Sequence, residues 1–117
     1  MITLRDAKAG IMEDEAHWAV PLMDFVDDFR RVRNPMALVE PFELTHEKWD
    51  ALLASTATAL CDEAGLEVPD WIWAVPACKD PWFVSGMEDL KAIALVESPL
   101  PFRIRKIFVL ENFLSRV

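Results

Sequence analysis

PWFVSGMEDLKAIALVESPLPFRIRKIFVLENFLSRV, residues 81–117, is the stretch on which the fold of this chain most depends. It contains the sequence SGME at residues 85–88, a capping box with serine at the N-cap and glutamate three positions later. We expect a helix from this cap to about Glu97, ended by Ser98 and Pro99. Its inward side would consist of apolar residues, namely Met87, Leu90, Ile93, Ala94 and Val96.

The second half of the stretch has an apolar helical pattern that is irregular at its start. On a 3.6-residue helix, one broad face would consist of Leu100, Ile107, Leu110, Phe113, Leu114 and Val117. Arg105 falls on the opposite, polar face together with Phe108. Arg103 and Lys106, however, fall on the apolar face. Either the regular helix begins only near Ile107, or two positive charges are carried to the interior side.

The second alternative would require acidic partners, because an unpaired buried charge is too costly. Our hypothesis is that Arg103 pairs with an acidic residue of the N-terminal half.

The clearest helix of the first half is predicted over residues 46–64. Thr45 is a natural N-cap, and Gly65 supplies the left-handed residue that commonly follows the last helical turn. A single apolar stripe at helical spacing consists of Trp49, Leu52, Leu53, Ala57, Leu60, Cys61 and Ala64. This helix and the C-terminal one are expected to form the centre of the fold.

The N-terminal part predicts two further helical segments. Residues 3–9 form a short first helix that stops at Gly10, and a longer pattern covers residues 13–31. Pro21 lies inside the longer pattern. Because proline lacks an N–H and crowds the preceding turn, it should kink this helix or restart it.

Residues 68–83, VPDWIWAVPACKDPWF, form a Trp/Pro segment with little room for a long regular element. Pro69 can open one short turn that ends near Trp73, and the remainder should be an extended loop. Its large aromatic side chains are too apolar to leave in water. The segment is therefore either a lid on the core or the edge of a ligand groove or protein-binding surface.

Composition favours a mostly helical fold. The 117 residues include three glycines and no tyrosine, whereas a β-rich chain of this length would need more turn glycines and β-forming residues. We expect an all-α, compact, bundle-like domain of four to five helices with a Trp/Pro-rich loop. Residues 1–117 are expected to form a single helical domain.

Charge and hydropathy exclude several classes of function. The net charge is −8, and residues 1–70 hold 15 acidic against 6 basic residues, so nucleic acid is an unfavoured partner. Direct nucleic-acid binding would need Arg103, Arg105, Lys106 and Arg116 in one exposed patch. No stretch is long and apolar enough for a membrane helix, and the N-terminus has no hydrophobic signal segment, so we expect a cytoplasmic protein.

Two histidines are the only candidates for a metal-binding or catalytic site in this sequence. Asp14-x-x-His17 and Glu43-x-x-His46 have a spacing that places both side chains on one helix face, as in carboxylate–histidine metal sites. A small metal-dependent or small-molecule-binding enzyme using His17 and His46 is therefore the alternative function. Because the chain has no phosphate-binding glycine loop, nucleophile elbow or CxxC pair, we assign no catalytic, cofactor or metal residue.

The C-terminal motifs resemble a small family of uncharacterised bacterial proteins. The resemblance covers about the last 40 residues and rests on the pattern PWFVSG, LKA, ESP, FR, IFV and NFLSR, with a looser echo in MDFVD at residues 23–27 and ALVE at residues 37–40. It implies a bacterial cytosolic protein, of a kind often encoded beside a partner gene. It assigns no activity and no site residue.

The favoured function is therefore a non-catalytic interaction or regulatory protein, such as an antitoxin-like partner that neutralises another protein. This hypothesis predicts self-association or a protein partner and an exposed apolar patch of several hundred Å2. The candidate interaction surface consists of residues that ordinary helix packing does not explain, namely Trp71, Trp73, Trp82, Phe83, Arg103, Lys106 and Phe108.

Overall fold

The computed structural model describes residues 1–115. Its α-helices are α1 (Leu4–Glu13), α2 (Ala19–Val32), α3 (Glu47–Ala64), α4 (Asp70–Trp73), α5 (Lys91–Glu97) and α6 (Leu100–Arg103). Its strands are β1 (Trp82–Phe83) and β2 (Ile107–Phe108), and three 3-10 turns cover Glu15–His17, Pro35–Leu38 and Glu88–Leu90. The described chain is thus 58% helical, which confirms the expectation of a mostly helical fold.

The fold is not purely α-helical, because β1 and β2 pair in parallel. Trp82 is aligned with Ile107 and Phe83 with Phe108. No helix within residues 1–115 combines the length and the apolar character needed to cross a bilayer.

Helix α3 lies at the centre of the fold, as predicted. Eleven of its 18 residues are buried, and the hydroxyls of Thr56 and Thr58 donate to main-chain carbonyls one turn back, each at 2.8 Å. Gly65 ends the helix with φ at 69°, as its position predicted. The predicted N-cap is wrong by one residue, because His46 occupies that position.

A buried ion pair joins α1 to the start of α3. Lys8 Nζ lies 2.7 Å from Asp50 Oδ1, and the two side chains are 8% and 4% exposed. Lys8 also donates to the main-chain carbonyl of Glu43 and, at 2.9 Å, to Thr45 Oγ1. The Thr45 hydroxyl is therefore engaged by a lysine from another helix rather than by the N-terminus of α3.

The first helix continues past Gly10, where the sequence predicted its end. Thr3 and Asp6 form a capping box at its start. A Cβ atom on Gly10 would lie 2.7 Å from Pro21 Cβ, so this glycine permits the close approach of α1 and α2. Pro21 is the third residue of α2, so the proline restarts the helical pattern rather than kinking a longer helix.

The C-terminal third departs most from the prediction. Ser85 is not an N-cap; Gly86 adopts φ of 67° in a turn, a 3-10 turn follows, and α5 begins only at Lys91. The long helix expected after Pro99 is absent from the described residues. After the single turn α6, Lys106 adopts φ of 61° and redirects the chain into β2. The predicted face positions Arg116 and Val117 lie outside the described residues.

Ser98 explains why the chain after α6 becomes a strand. Its buried hydroxyl donates to the carbonyl of Ile107 at 3.0 Å and accepts from the N–H of Val109 at 3.2 Å. The Ile107 carbonyl and the Val109 N–H are therefore hydrogen-bonded to a side chain, whereas in a helix they would bond to other main-chain groups. Ser98 therefore stabilises β2 as well as ending α5.

Candidate interaction surface

The two-stranded ribbon brings together four of the predicted surface residues. The Trp82 N–H donates to the carbonyl of Lys106 at 2.8 Å. Phe83 stacks on Phe108 with ring centroids 5.1 Å apart, and Lys91 Nζ lies 5.5 Å from the Phe83 centroid. The ribbon thus forms an aromatic cluster whose members are all half-buried except the exposed Lys106.

The tryptophans divide between the core and the solvent. Trp71 donates from Nε1 to the carbonyl of Leu38 at 2.8 Å and meets Phe42 edge to face at 5.2 Å. Trp82 meets Trp49 in the same way at 5.4 Å. Both act as part of a lid on the core, whereas Trp73 is 52% exposed.

Neither Arg103 nor Lys106 is carried into the interior, so both alternatives drawn from the helical pattern are wrong. Both side chains are exposed. Arg103 donates to the main-chain carbonyl of Leu95, and Lys106 donates to that of Lys79 at 3.3 Å. The helical projection failed because α6 ends at Arg103 and the chain turns at Lys106 instead of continuing as one long helix.

The buried cation is Arg105, which the sequence placed on the polar face. It is 3% exposed, and it donates to the carbonyls of Ile72 at 2.7 Å and Val75 at 3.3 Å. Its third contact is Ser55 Oγ, at 3.5 Å. Burial lowers the pKa of the guanidinium below its usual value. Arg105 thereby joins the end of α4 to the central helix α3.

The burial of this arginine belongs to an alternating pattern that a helical projection does not reproduce. Along residues 105–109, RKIFV, the fully buried positions alternate: Arg105, Ile107 and Val109 are buried, and Lys106 is exposed. This is the two-residue period of a strand. A helical wheel gives the opposite result, because it places Arg105 on the polar face and Lys106 on the apolar face.

The densest run of exposed large apolar residues in the described chain lies on α5, on α6 and in the turn before α5. We call it the α5–α6 face. It consists of Met87, Ile93, Leu95, Val96, Leu100 and Ile104, which are between 45% and 79% exposed. In α5, KAIALVE, Ala94 is the one fully buried residue. Because Met87, Ile93 and Val96 are exposed, the prediction that they turn inward is wrong.

This segment holds six of the thirteen large apolar residues that are exposed in the described chain. A helix with apolar residues on most of its circumference is normally buried by neighbouring elements on most of its sides. The described chain covers one side of α5.

A cleft lies on the inward side of α5, and none of the six residues of the α5–α6 face lines it. It has a volume of about 290 Å3 and lies beside Ala94 of α5, between Trp18, Phe108 and Phe113. Ser85 and Asn112 are its polar lining residues, and the remaining lining is apolar. The described chain therefore has an apolar depression beside α5 that is separate from the exposed residues of the α5–α6 face.

The residues of the alternative metal or enzyme site lie on the surface. His17 Nδ1 is 2.7 Å from Asp14 Oδ2, so this predicted pair does form, and His46 Nδ1 is 2.9 Å from Thr45 Oγ1. Both histidines are exposed. Within residues 1–115, no group of three His, Cys, Asp or Glu side chains is arranged to hold a metal ion.

The two cysteines are buried, which makes them poor nucleophiles. Burial raises the pKa of the Cys61 thiol to about 11, and it also raises that of Cys78. The thiolate is the reactive form, and reactive cysteines have a lowered pKa. The shift at Cys61 is thus opposite to the one that nucleophilic catalysis requires.

Comparison with known proteins found no match to a protein-family model, a curated protein or a solved structure.

Proposed function

We propose that this chain is a non-catalytic cytoplasmic interaction protein that binds a protein partner through the α5–α6 face. The observation that carries the proposal is the exposure of six large apolar residues within one short segment, with Val96 at 79% and Leu100 at 70%. Large exposed apolar patches rimmed by polar residues mark interaction sites.

The chemistry of the rim supports a protein as the partner. Glu88, Asp89 and Glu97 are exposed acidic residues around the face, and Arg103 is an exposed base beside Leu95. An apolar centre with a polar, charged rim is the usual composition of a protein–protein interface. The proposal includes a regulatory role of the antitoxin-like kind and membership of the bacterial family that the C-terminal pattern resembles.

The aromatic ribbon has a supporting role in this proposal. Phe83 and Phe108 are half-buried and stacked against each other, and Phe108 lines the cleft beside Ala94 of α5. Trp71 contacts the core through Phe42, and we leave it out of the contact surface.

Site-specific photo-crosslinking tests the proposal. With p-benzoylphenylalanine in place of Val96, in the cells that naturally produce the protein, we expect one discrete protein adduct. The adduct should disappear when Leu100→Glu is introduced in the same chain, because a buried unpaired carboxylate disfavours docking. The matched control places the photo-reactive residue at Val39, which is 52% exposed outside the α5–α6 face. No adduct from position 96, or equal adducts from both positions, would contradict the proposal.

A further inference from the structure

We infer that the partner binds through a basic amphipathic helix, an inference that rests on the proposed function. The site for this helix is a shallow groove of about 560 Å3 beside α5. We call it the acidic groove, and it is lined by Leu90, Ile93, Glu97, Leu110, Glu111, Asn112 and Ser115. Ile93 also belongs to the α5–α6 face, so the groove and the face are continuous.

One wall of the acidic groove is a stripe along α5. Leu90, Ile93 and Glu97 follow one another at steps of three and four residues, which places them on one side of the helix. At 1.5 Å per residue, this stripe is roughly 10 Å long, or about two helical turns. Leu90 is half-buried and Ile93 is 45% exposed, so the stripe offers an apolar contact at one end and a carboxylate at the other.

The walls of the groove favour a helix over an added strand. Leu110–Ser115, the wall opposite α5, belongs to no strand, and β2 ends at Phe108. An extended peptide that adds to a sheet needs a strand edge for its main-chain hydrogen bonds, and neither wall supplies one. A helix instead binds an apolar groove through side chains spaced three and four residues apart, which is the spacing of the α5 stripe.

The charge within the groove is of one sign. Of its described lining residues, Glu97 and Glu111 are acidic and exposed, and none is basic. The Glu111 N–H donates to Glu97 Oε1 at 3.2 Å, so the Glu97 carboxylate is held at the opposite wall. Neither carboxylate forms an ion pair with a lysine or arginine of residues 1–115. A positive charge from a partner would therefore find two acceptors here.

The bases nearest to the groove along the chain are engaged elsewhere. Lys91 Nζ lies 2.8 Å from Glu88 Oε2, and Arg103 donates to the main-chain carbonyl of Leu95. Charge complementarity thus favours a partner helix whose apolar side chains are flanked by lysine or arginine. It disfavours nucleic acid and anionic lipid, because both carry the same sign of charge as the groove.

Binding of three synthetic peptides to the purified full chain tests the inference. The first, of about 14 residues, has leucines along one side of a helix and arginines on the others. The second has glutamate in place of every arginine, and the third has the composition of the first with its leucines spread around the helix. Fluorescence anisotropy at low salt should give a dissociation constant of about 1–50 µM for the first peptide. The second should bind at least about 100-fold more weakly and the third at least about tenfold more weakly.

Two double variants that remove the same charge locate the contact. Glu97→Gln with Glu111→Gln should weaken binding of the first peptide about tenfold or more, because charge-assisted hydrogen bonds to two carboxylates are lost. Glutamine keeps a side-chain oxygen that can accept from the Glu111 N–H, so the groove retains its shape. Glu13→Gln with Glu67→Gln changes two exposed acids that do not line the groove, and it should alter the dissociation constant less than about twofold.

Equal weakening by the two double variants would overturn the inference, because the attraction would then come from the net charge of −8 rather than from the groove. A first peptide that does not bind at about 500 µM, or a second or third peptide that binds equally well, would overturn it too.

The proposed function is judged separately, by the crosslink from position 96 in cells. We expect that adduct to be lost in a chain that also carries Glu97→Gln and Glu111→Gln. An adduct that persists in this chain would retain the proposed function and reject the basic helix. Absence of any adduct, with the peptides behaving as expected, would reject the proposed function and leave the preference of the groove for basic helices intact.

Discussion

Replacing Arg105 by alanine is expected to lower the free energy of unfolding by about 3 kcal/mol, since hydrogen bonds from a charged group contribute ~1.5–3 kcal/mol each. The carbonyls of Ile72 and Val75 would each lose a charged donor, and Ser55 would lose its contact with the guanidinium. The side chain is buried, so its removal also leaves a cavity. Urea denaturation followed by tryptophan fluorescence measures the change.

Two variants distinguish this role from a general effect of removing an arginine. Arg105→Lys keeps the charge but not the planar fork of donors, so it should recover part of the lost stability. Arg103→Ala removes an exposed arginine two residues away and should change the free energy of unfolding by less than about 0.5 kcal/mol. Equal losses for Arg103→Ala and Arg105→Ala would contradict the assignment of Arg105 as the buried cation.

Replacing Asp50 by alanine is expected to cost about 3–5 kcal/mol, the usual effect of removing one partner of a buried ion pair. Lys8 would remain buried with neutral acceptors, namely the Glu43 carbonyl and the Thr45 hydroxyl. Asp50 Oδ2 also accepts from the main-chain N–H of His46 at 3.0 Å, so the start of α3 would lose a hydrogen bond. Urea denaturation at neutral pH measures the loss.

A double-mutant cycle isolates the ion pair. Lys8→Met and Asp50→Leu together remove both charges and fill the space with apolar groups, which is often neutral or stabilising at buried pairs. The double variant should therefore be more stable than Asp50→Ala. If its loss equals the sum of the losses from Lys8→Met and Asp50→Leu, the two side chains do not interact as the 2.7 Å separation indicates.

The helices that the sequence predicted well are those with local signals at both ends. Helix α3 has an apolar stripe along its length and Gly65 at its end, so its bounds differ from the prediction by one residue. The C-terminal third has a capping-box pattern that does not start a helix, since Ser85 is not an N-cap and α5 begins only at Lys91. Its two-residue strands are fixed by each other and by Ser98, which contacts residues nine and eleven positions further along the chain. Pairing of this kind depends on tertiary structure and has no helical or strand period long enough to detect.

The candidate surface was predicted only in part, because the exposure of its side chains also depends on tertiary structure. Bulky aromatic residues beside prolines indicated that Trp82 and Phe83 form contacts, and they do so with Trp49 and Phe108. The exposure of Val96 and Leu100 could not be predicted, because an apolar helix predicts burial and the sequence does not show which side lacks a partner. The buried Arg105 was missed because a helical period was extended past α6, whereas the chain turns at Lys106 and continues as β2.

The central claim is that the α5–α6 face is exposed in the isolated chain and covered in the cell. Carbene footprinting measures this directly, because the reagent labels accessible side chains regardless of their chemistry. We predict strong labelling of Val96 and Leu100 in dilute purified protein and clear protection in the cells that produce it, with Val39 labelled equally in both. Equal labelling of the face in both samples would contradict the account.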